Sequence, residues 1–330
     1  MATQTRNGNR LTKIVAVRRT GPVPGSATVV SDLIDGACQK LMRLRKKPLL
    51  VLYYPPRSSM TEDDVDDVYQ AFRDGGTTIE KGLASMDVLI DSYGGNPVAA
   101  YRIAQLIRDF SKQVSFLVAD HAYSAATLLS FAGNEVRLAH FAGLSPIDVT
   151  LVSETGSRPR QEVELASIDS FLEFSTTARK KMEELMEKLG RTSPCCIDSD
   201  LMVQMVKEVG ALQVGKFFRA RTLTGHYAEQ LLRSYMFAGQ LDKKDKCAKV
   251  IANFLFSAPT HEFHLDYHFC QEWGVTALEM PTKESDTTKS VVEALKVLAN
   301  RKAICPHLSS KLRIPFIRFY KYNRNANGRA

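Results

Sequence analysis

The chain has 330 residues, 44% of them apolar and 24% charged. This is the composition of a soluble globular protein with one large core, or a core plus a smaller module; it excludes a small stapled scaffold and names no function. The net charge of +8 sits at the ends: residues 1–20 hold five Lys/Arg and no acid, residues 311–330 hold six and no acid, and the remainder has 33 basic against 36 acidic residues.

Basic ends of this kind are solvated termini in the plain reading, and contacts for nucleic acid, anionic lipid or an acidic partner in the functional one. The six cysteines, at 38, 195, 196, 247, 270 and 305, form no CxxC pair, so reduced thiols are expected. The first 30 residues lack a signal-peptide apolar core, and no apolar run approaches the roughly 18 residues of a spanning helix. A soluble, cytoplasmic protein without a membrane span is expected.

After "NGNR" and "TGPVPGS", which read as an arm, "VVSDLIDGACQKLMRLR" has helical spacing at Leu33, Cys38, Leu41 and Leu44. "PLLVLYYP" is an apolar run of strand length. "TEDDVDDVYQAFRDGG" opens on a threonine with an acidic first turn and closes on glycines, the punctuation of a helix. "MDVLIDSYGG" is a second buried strand leading into "NPVAAYRIAQLIRDF", where Asn96 caps, Pro97 takes the first helical position, and Ala99, Ile103, Leu106, Ile107 and Phe110 share a face. "QVSFLVAD" is a third strand, "HAYSAATLLSFAG" leads into a helix, and "NEVRLA" is a fourth strand. The alternation from about 48 to 150 predicts an α/β fold with a largely parallel sheet covered by helices. Beyond 160, "QEVELASIDSFLEFSTTARKKMEELMEKLG" reads as one long helix able to pack on a second subunit, followed by helices near 199–209, 226–238 and 244–256.

Right-handed crossovers bring the C-terminal ends of neighbouring parallel strands to one edge, where ligand sites of open α/β sheets form. That juxtaposes Tyr93, Gly94 and Gly95 with Ser124. Paired glycines can aim backbone N–H groups at a substrate oxygen, and a serine at a helix start lies where developing negative charge is favoured. The plain alternatives are a Gly-Gly turn and a serine N-cap.

The succession "DVLIDSYGG", "HAYSAATLLSFAGNEVRL", "AGLSPID" and later "PTHEF" resembles the serine dehydrogenase proteinase family, a branch of the Clp-protease/crotonase superfamily, and more distantly the Clp proteolytic subunit and signal peptide peptidase A. The resemblance implies layered parallel sheets with flanking helices and a helical C-terminal part. It implies a serine peptidase without cofactor or metal, acting on a peptide or protein and assembled as a homo-oligomer. It makes Ser124 the nucleophile, Gly94 and Gly95 the oxyanion loop, and His261 and Asp148 the base and its orienting carboxylate. Signal peptide peptidases use a lysine base, which keeps Lys180 and Lys181 open as alternatives.

On this reading, residues 1–28 are a basic arm and 29–160 the α/β core with the Gly-Gly loop and nucleophile. Residues 161–258 are a helical region suited to oligomerisation, 259–305 return the histidine to the core, and 306–330 are a basic tail. Three other readings stand beside it. A crotonase-type enzyme would bind acyl-coenzyme A with the same N–H pair. A catalytically inactive scaffold would bind a partner or nucleic acid through the basic ends. A structural zinc would use His261, His264, His268 and Cys270, although HExH is not the HExxH spacing of zinc proteases.

Overall fold

The computed structural model describes residues 26–147, 150–153, 161–164, 180, 184, 211–304 and 315–322. The arm before residue 26, the expected helix at 199–209, most of the expected long helix, Cys195, Cys196 and Cys305 lie outside the described residues.

Helix α1 (Ser26–Arg45) precedes β1 (Leu49–Tyr53), α2 (Asp63–Asp74), β2 (Leu83–Ser92), α3 (Pro97–Phe110), β3 (Ser111–Ala122), α4 (Ala125–Ser130), β4 (Glu135–Leu138) and the two-residue strand β5 (Gly143–Leu144). Strands β1 to β4 are mutually parallel and in chain order across the sheet, with β5 paired in parallel to the end of β3. Every residue of β1 is buried, as is β2 from Met86 to Ser92. Burial on both faces is why these strands read as continuous apolar runs rather than alternating ones. Helices α2, α3 and α4, each following one of these strands, pack against one another in a row.

The C-terminal half returns to the same sheet. After β6 (Thr150–Ser153), β7 (Gln161–Glu164), α5 (Ala211–Leu231), α6 (Lys243–Ala252) and α7 (Tyr267–Glu272), strand β8 (Ala277–Glu279) adds in parallel beside β4. Helix α8 (Thr282–Ile304) packs against α1 and β3 on the other face, and β9 (Phe316–Tyr320) closes the sheet antiparallel to β1. The layered α/β architecture with a helical later part is thus the one expected. Among the described residues no helix is long and apolar enough to cross a membrane.

Several local expectations change. Gln161–Glu164, expected to start a long helix, is a strand paired antiparallel with Thr150–Ser153; backbone pairing with a non-adjacent segment overrides the local helical spacing. The helix expected at 226–238 begins at Ala211 and ends in a π turn over Leu232–Met236, and the one expected at 244–256 ends in a π turn over Asn253–Ser257. Thr61 does not cap α2; instead the Asp64 carboxylate reaches back to accept from Thr61 N–H at 2.6 Å. Asn96 caps α3 as expected, accepting from Val98 N–H at 2.7 Å and Ala99 N–H at 3.3 Å, with Pro97 next.

The largest change is β9, which lies in the stretch expected to be a basic tail. Arg318 is only 5% exposed and donates to Asp35 Oδ1 at 2.5 Å, which also accepts from the Tyr320 hydroxyl at 3.0 Å. A buried cation is tolerable only when paired and hydrogen-bonded, and Asp35 on α1 supplies both. Arg318→Ala should remove this buried pair and destabilise the protein by about 3 kcal/mol or more, read from urea denaturation; a change below about 0.5 kcal/mol would show that β9 does not depend on the pair.

Candidate active site

The ends of β2 and β3 emerge side by side. A register shift between Ile90 and Ser92 pairs Ser92 with Ala122, and Tyr123 N–H donates to Ser92 O at 2.9 Å. Gly94 (φ 107°) and Gly95 (φ 146°) both adopt backbone that L residues avoid. A Cβ on Gly94 would stand 2.8 Å from both Ser124 Cβ and Tyr123 O, and 3.2 Å from Ala125 N. The missing side chain is what lets the two strand ends meet. The structure therefore brings Gly94, and with it the Gly94–Gly95 loop, up to Ser124.

The two glycine N–H groups differ. That of Gly94 donates to Ser92 Oγ at 3.0 Å. The bridge between Gly95 and Met60 is made by Met60 N–H to Gly94 O and Asn96 N–H to Met60 O, both 2.9 Å, so it does not use the Gly95 N–H. Ala125 is the first residue of α4, a position whose N–H has no acceptor within its own helix.

Ser124 has φ 53° and ψ −117° and makes no side-chain capping bond. The N-cap alternative fails on both counts, since a capping residue takes extended backbone and accepts from the N2 or N3 N–H, as Asn96 does. A positive φ at a non-glycine residue costs of order 1–3 kcal/mol and persists only where the surroundings enforce it. Here they do. Ser124 N–H donates to Ser145 Oγ at 2.7 Å, and Ser145 Oγ donates on to Pro146 O at 3.0 Å. Thr127 Oγ1 bonds Ala122 O at 2.6 Å and Ser145 O at 3.0 Å, and accepts from Ser145 N–H at 3.1 Å. Thr127 and Ser145 are both fully buried. The half-buried Ser124 thus sits on a sharp strand-to-helix turn of the kind that presents a nucleophile.

Asp148 lies outside the described residues, and no described hydrogen bond links Ser124 to His261. Lys180 is helical and exposed, and Lys181 lies outside the described residues. The zinc reading finds no support in the placement of its ligands. The His264 ring lies against Gly143, and the Cys270 thiol is buried and donates to Leu265 O at 3.4 Å. Among the described residues no three His, Cys, Asp or Glu side chains are grouped to hold a metal.

Sequence reasoning missed Ser145, Thr127 and an aromatic-histidine cluster beside the turn. Tyr93, His121, Tyr123 and His264 form a chain of ring contacts, with centroids 4.0, 5.3 and 6.2 Å apart in succession. Beneath it, Asp91 Oδ1 accepts from His121 N–H at 3.3 Å and lies 3.4 Å from His121 Nδ1. Burial, with Asp120 nearby, pushes Asp91 up to about 7, and burial pushes His121 down to about 4. With the imidazole neutral, this contact is not an ion pair near neutrality. Lys296 of α8 instead pairs with Asp120 at 2.5 Å; burial opposes its charge, but the bonds to Asp120 and Glu293 outweigh that and raise its pKa.

No family model and no curated protein matches the sequence. Among solved structures the chain is similar to a mutant of the 1510-N membrane-bound stomatin-specific protease, at 11% identity and a TM-score of 0.38 over 72% of this chain and 79% of that one. It is similar also to a ClpP1 mutant from Listeria monocytogenes, at 10% identity and a TM-score of 0.35 over 79% of this chain and 99% of that one. Both scores are below one half, so the site rests on its own geometry.

Two predictions follow from this geometry. Ser145→Ala leaves the Ser124 N–H without its acceptor and should cost about 1–3 kcal/mol in chemical denaturation. Gly94→Ala should be destabilising as well, whereas Gly36→Ala, in α1 with nothing within 4 Å of a new Cβ, should stabilise by about 0.5–1 kcal/mol. Equal effects of the two alanines would show that the Gly94 approach carries no constraint.

The second concerns pH. Asp91 has its folded pKa raised above the unfolded value of about 3.9, so its contribution is present at low pH and lost as pH rises through about 7. His121 has its folded pKa lowered from about 6.5, so its contribution is present above that and lost as pH falls through about 4. The two slopes oppose each other between pH 4 and 7. Asp91→Asn should unmask stability that rises with pH in this window, and His121→Gln stability that falls, each by up to about 1 kcal/mol per pH unit. Parallel stability–pH curves for both variants would contradict the assignment.

Proposed function

We propose that the chain is a serine hydrolase of the peptidase type acting through an acyl-enzyme on Ser124. The observation that carries this is the strained, uncapped Ser124 turn held against Gly94, because strain at an over-determined serine has a catalytic use and no capping use. Ser124 Oγ attacks the substrate carbonyl carbon, and its proton passes to His261, the base we assign, with Asp148 as its orienting carboxylate. The oxyanion that forms is met by the N–H groups of Gly95 and Ala125, at the dipole-positive start of α4. Collapse breaks the bond to the leaving amine, which takes the proton from His261. Water then hydrolyses the ester, with His261 again taking and returning a proton.

The substrate we assign is a peptide or protein segment, with the exposed Tyr93 and Gly95 just after β2 as its approach. Assembly as a homo-oligomer belongs to the same proposal, and the exposed Phe141 and Leu241 offer apolar surface for it. A fluorophosphonate probe should label the folded wild type, and Ser124→Ala should abolish labelling while keeping the unfolding free energy within about 1 kcal/mol of wild type. A folded wild type that stays unlabelled, or labelling that persists in Ser124→Ala, would refute the reading.

A further inference from the structure

The segment that carries His261 is docked on the strand beside the nucleophile turn. Leu144 N–H donates to Leu265 O and Leu265 N–H donates to Leu144 O, both at 2.9 Å, so the chain at Leu265 is stitched to β5. Strand β5 in turn pairs with β3 through His121 with Gly143 and Ala122 with Leu144. His264, the neighbour of Leu265, then makes two side-chain contacts of its own.

The first is with Gly143. A Cβ there would meet three atoms of the His264 ring at 2.2 to 2.8 Å, so the imidazole occupies the space that any other residue at 143 would fill. The second is with Tyr123, whose hydroxyl and His264 Nδ1 share a hydrogen bond of 2.8 Å. Tyr123 immediately precedes Ser124, and its ring is braced by Tyr93 and His121, at centroid distances of 6.1 and 5.3 Å. Burial, with Tyr93 and Asp91 nearby, raises the Tyr123 pKa, which keeps the phenol protonated as a hydrogen-bonding group. One side chain therefore ties the 260–266 segment to the residue next to the candidate nucleophile.

We propose that His264 is a positioning residue for the hydrolase reaction: through Tyr123 and Gly143 it fixes the 260–266 segment, and with it His261, relative to Ser124. This rests on the hydrolase reading above, and no proton-transfer step is assigned to His264 itself. A bond shared between a strand-end tyrosine and a ring seated on a glycine restrains both translation and tilt of the segment. The backbone bonds at Leu144 and Leu265 fix its register.

Two readouts on the full chain test it. The first is amide hydrogen exchange at Leu144 and Leu265. Tyr123→Phe and His264→Ala should each raise it by up to about tenfold, the scale of one lost hydrogen bond in a local opening. The second is the rate of fluorophosphonate labelling across pH. Each variant should be slower by about tenfold with a thermal midpoint within about 2 °C of wild type. The double variant should be no slower than the slower single one, because both remove the same bond. His264→Asn, whose amide can still bond the Tyr123 hydroxyl, should recover most of the rate; Gly143→Ala, which evicts the ring, should not. Wild-type exchange and labelling in Tyr123→Phe, or single effects that multiply in the double variant, overturn the proposal. An unlabelled wild type defeats the hydrolase reading itself, whereas unchanged exchange in Tyr123→Phe defeats the latch alone, so the two failures are distinct.

Discussion

At the end of β3 the chain must pass from a strand buried on both faces to a helix within two residues, and Ser124 is where the turn is made. Its φ of 53° is a conformation that a residue with a Cβ resists. The neighbouring groups are arranged around that resistance. Ser145 takes the Ser124 N–H, Thr127 ties Ala122 to Ser145, and Gly94 gives up a side chain so that the adjacent strand end can close to van der Waals contact. The same sheet contains its own control. Helix α3 also follows a buried parallel strand, and there the chain enters the helix through an extended Asn96 whose side chain caps. A capped, unstrained entry was therefore available to this fold, and at Ser124 it is not used.

The two ends of the sheet also differ in how their charges are treated. At the end opposite the serine turn, Arg45 grips Asp87 through two bonds of 2.9 and 3.0 Å, and Glu284 on α8 accepts from Arg137 at 2.6 and 3.1 Å. Each of these buried carboxylates has a half-buried arginine as counter-ion, which is what a structural role requires. At the serine end, Asp91 is buried beside Asp120 with no cation hydrogen-bonded to it among the described residues, and burial keeps His121 neutral near pH 7. Lys296 bonds Asp120 and Glu293 rather than Asp91. Groups displaced this far from their ordinary ranges concentrate where chemistry is done, and here they lie on the strand ends that carry the glycines and the serine.

How much of this the sequence could reveal depends on where each interaction's partner lies. Strands β1 to β3 and helix α3 were legible because burial on both faces writes a continuous apolar run, and Asn96-Pro97 writes a helix start, in neighbouring residues. Strand β9 was not. "FIRFY" has an arginine at its centre in a basic stretch, and the aspartate that makes it buriable lies 283 positions earlier. Gln161–Glu164 failed for a related reason, since its strand partner is a separate segment rather than its own helical neighbours. At the candidate site, the closeness of Ser124 to the glycine loop could be read from the order of strands and helices. Ser145 could not, because its role is a bond from a side chain to a backbone N–H 21 residues away, and nothing in "LSPID" marks the serine rather than the aspartate.

The 260–266 segment shows how distant pieces of chain can be brought to the serine turn. Its residues follow Ser124 by well over a hundred positions, yet the entropy of closing a loop grows only with the logarithm of its length, so a long detour costs little more than a short one. What a long detour does not supply is precision. The closing segment must be fixed again where it arrives, and that is the physical meaning of β5. A strand of two residues adds almost nothing to the sheet, but Gly143 and Leu144 face β3 on one side and the His264–Leu265 step on the other. Because Ser145 follows directly and holds the serine turn, one three-residue stretch references both the serine turn and the 260–266 segment to the same strand.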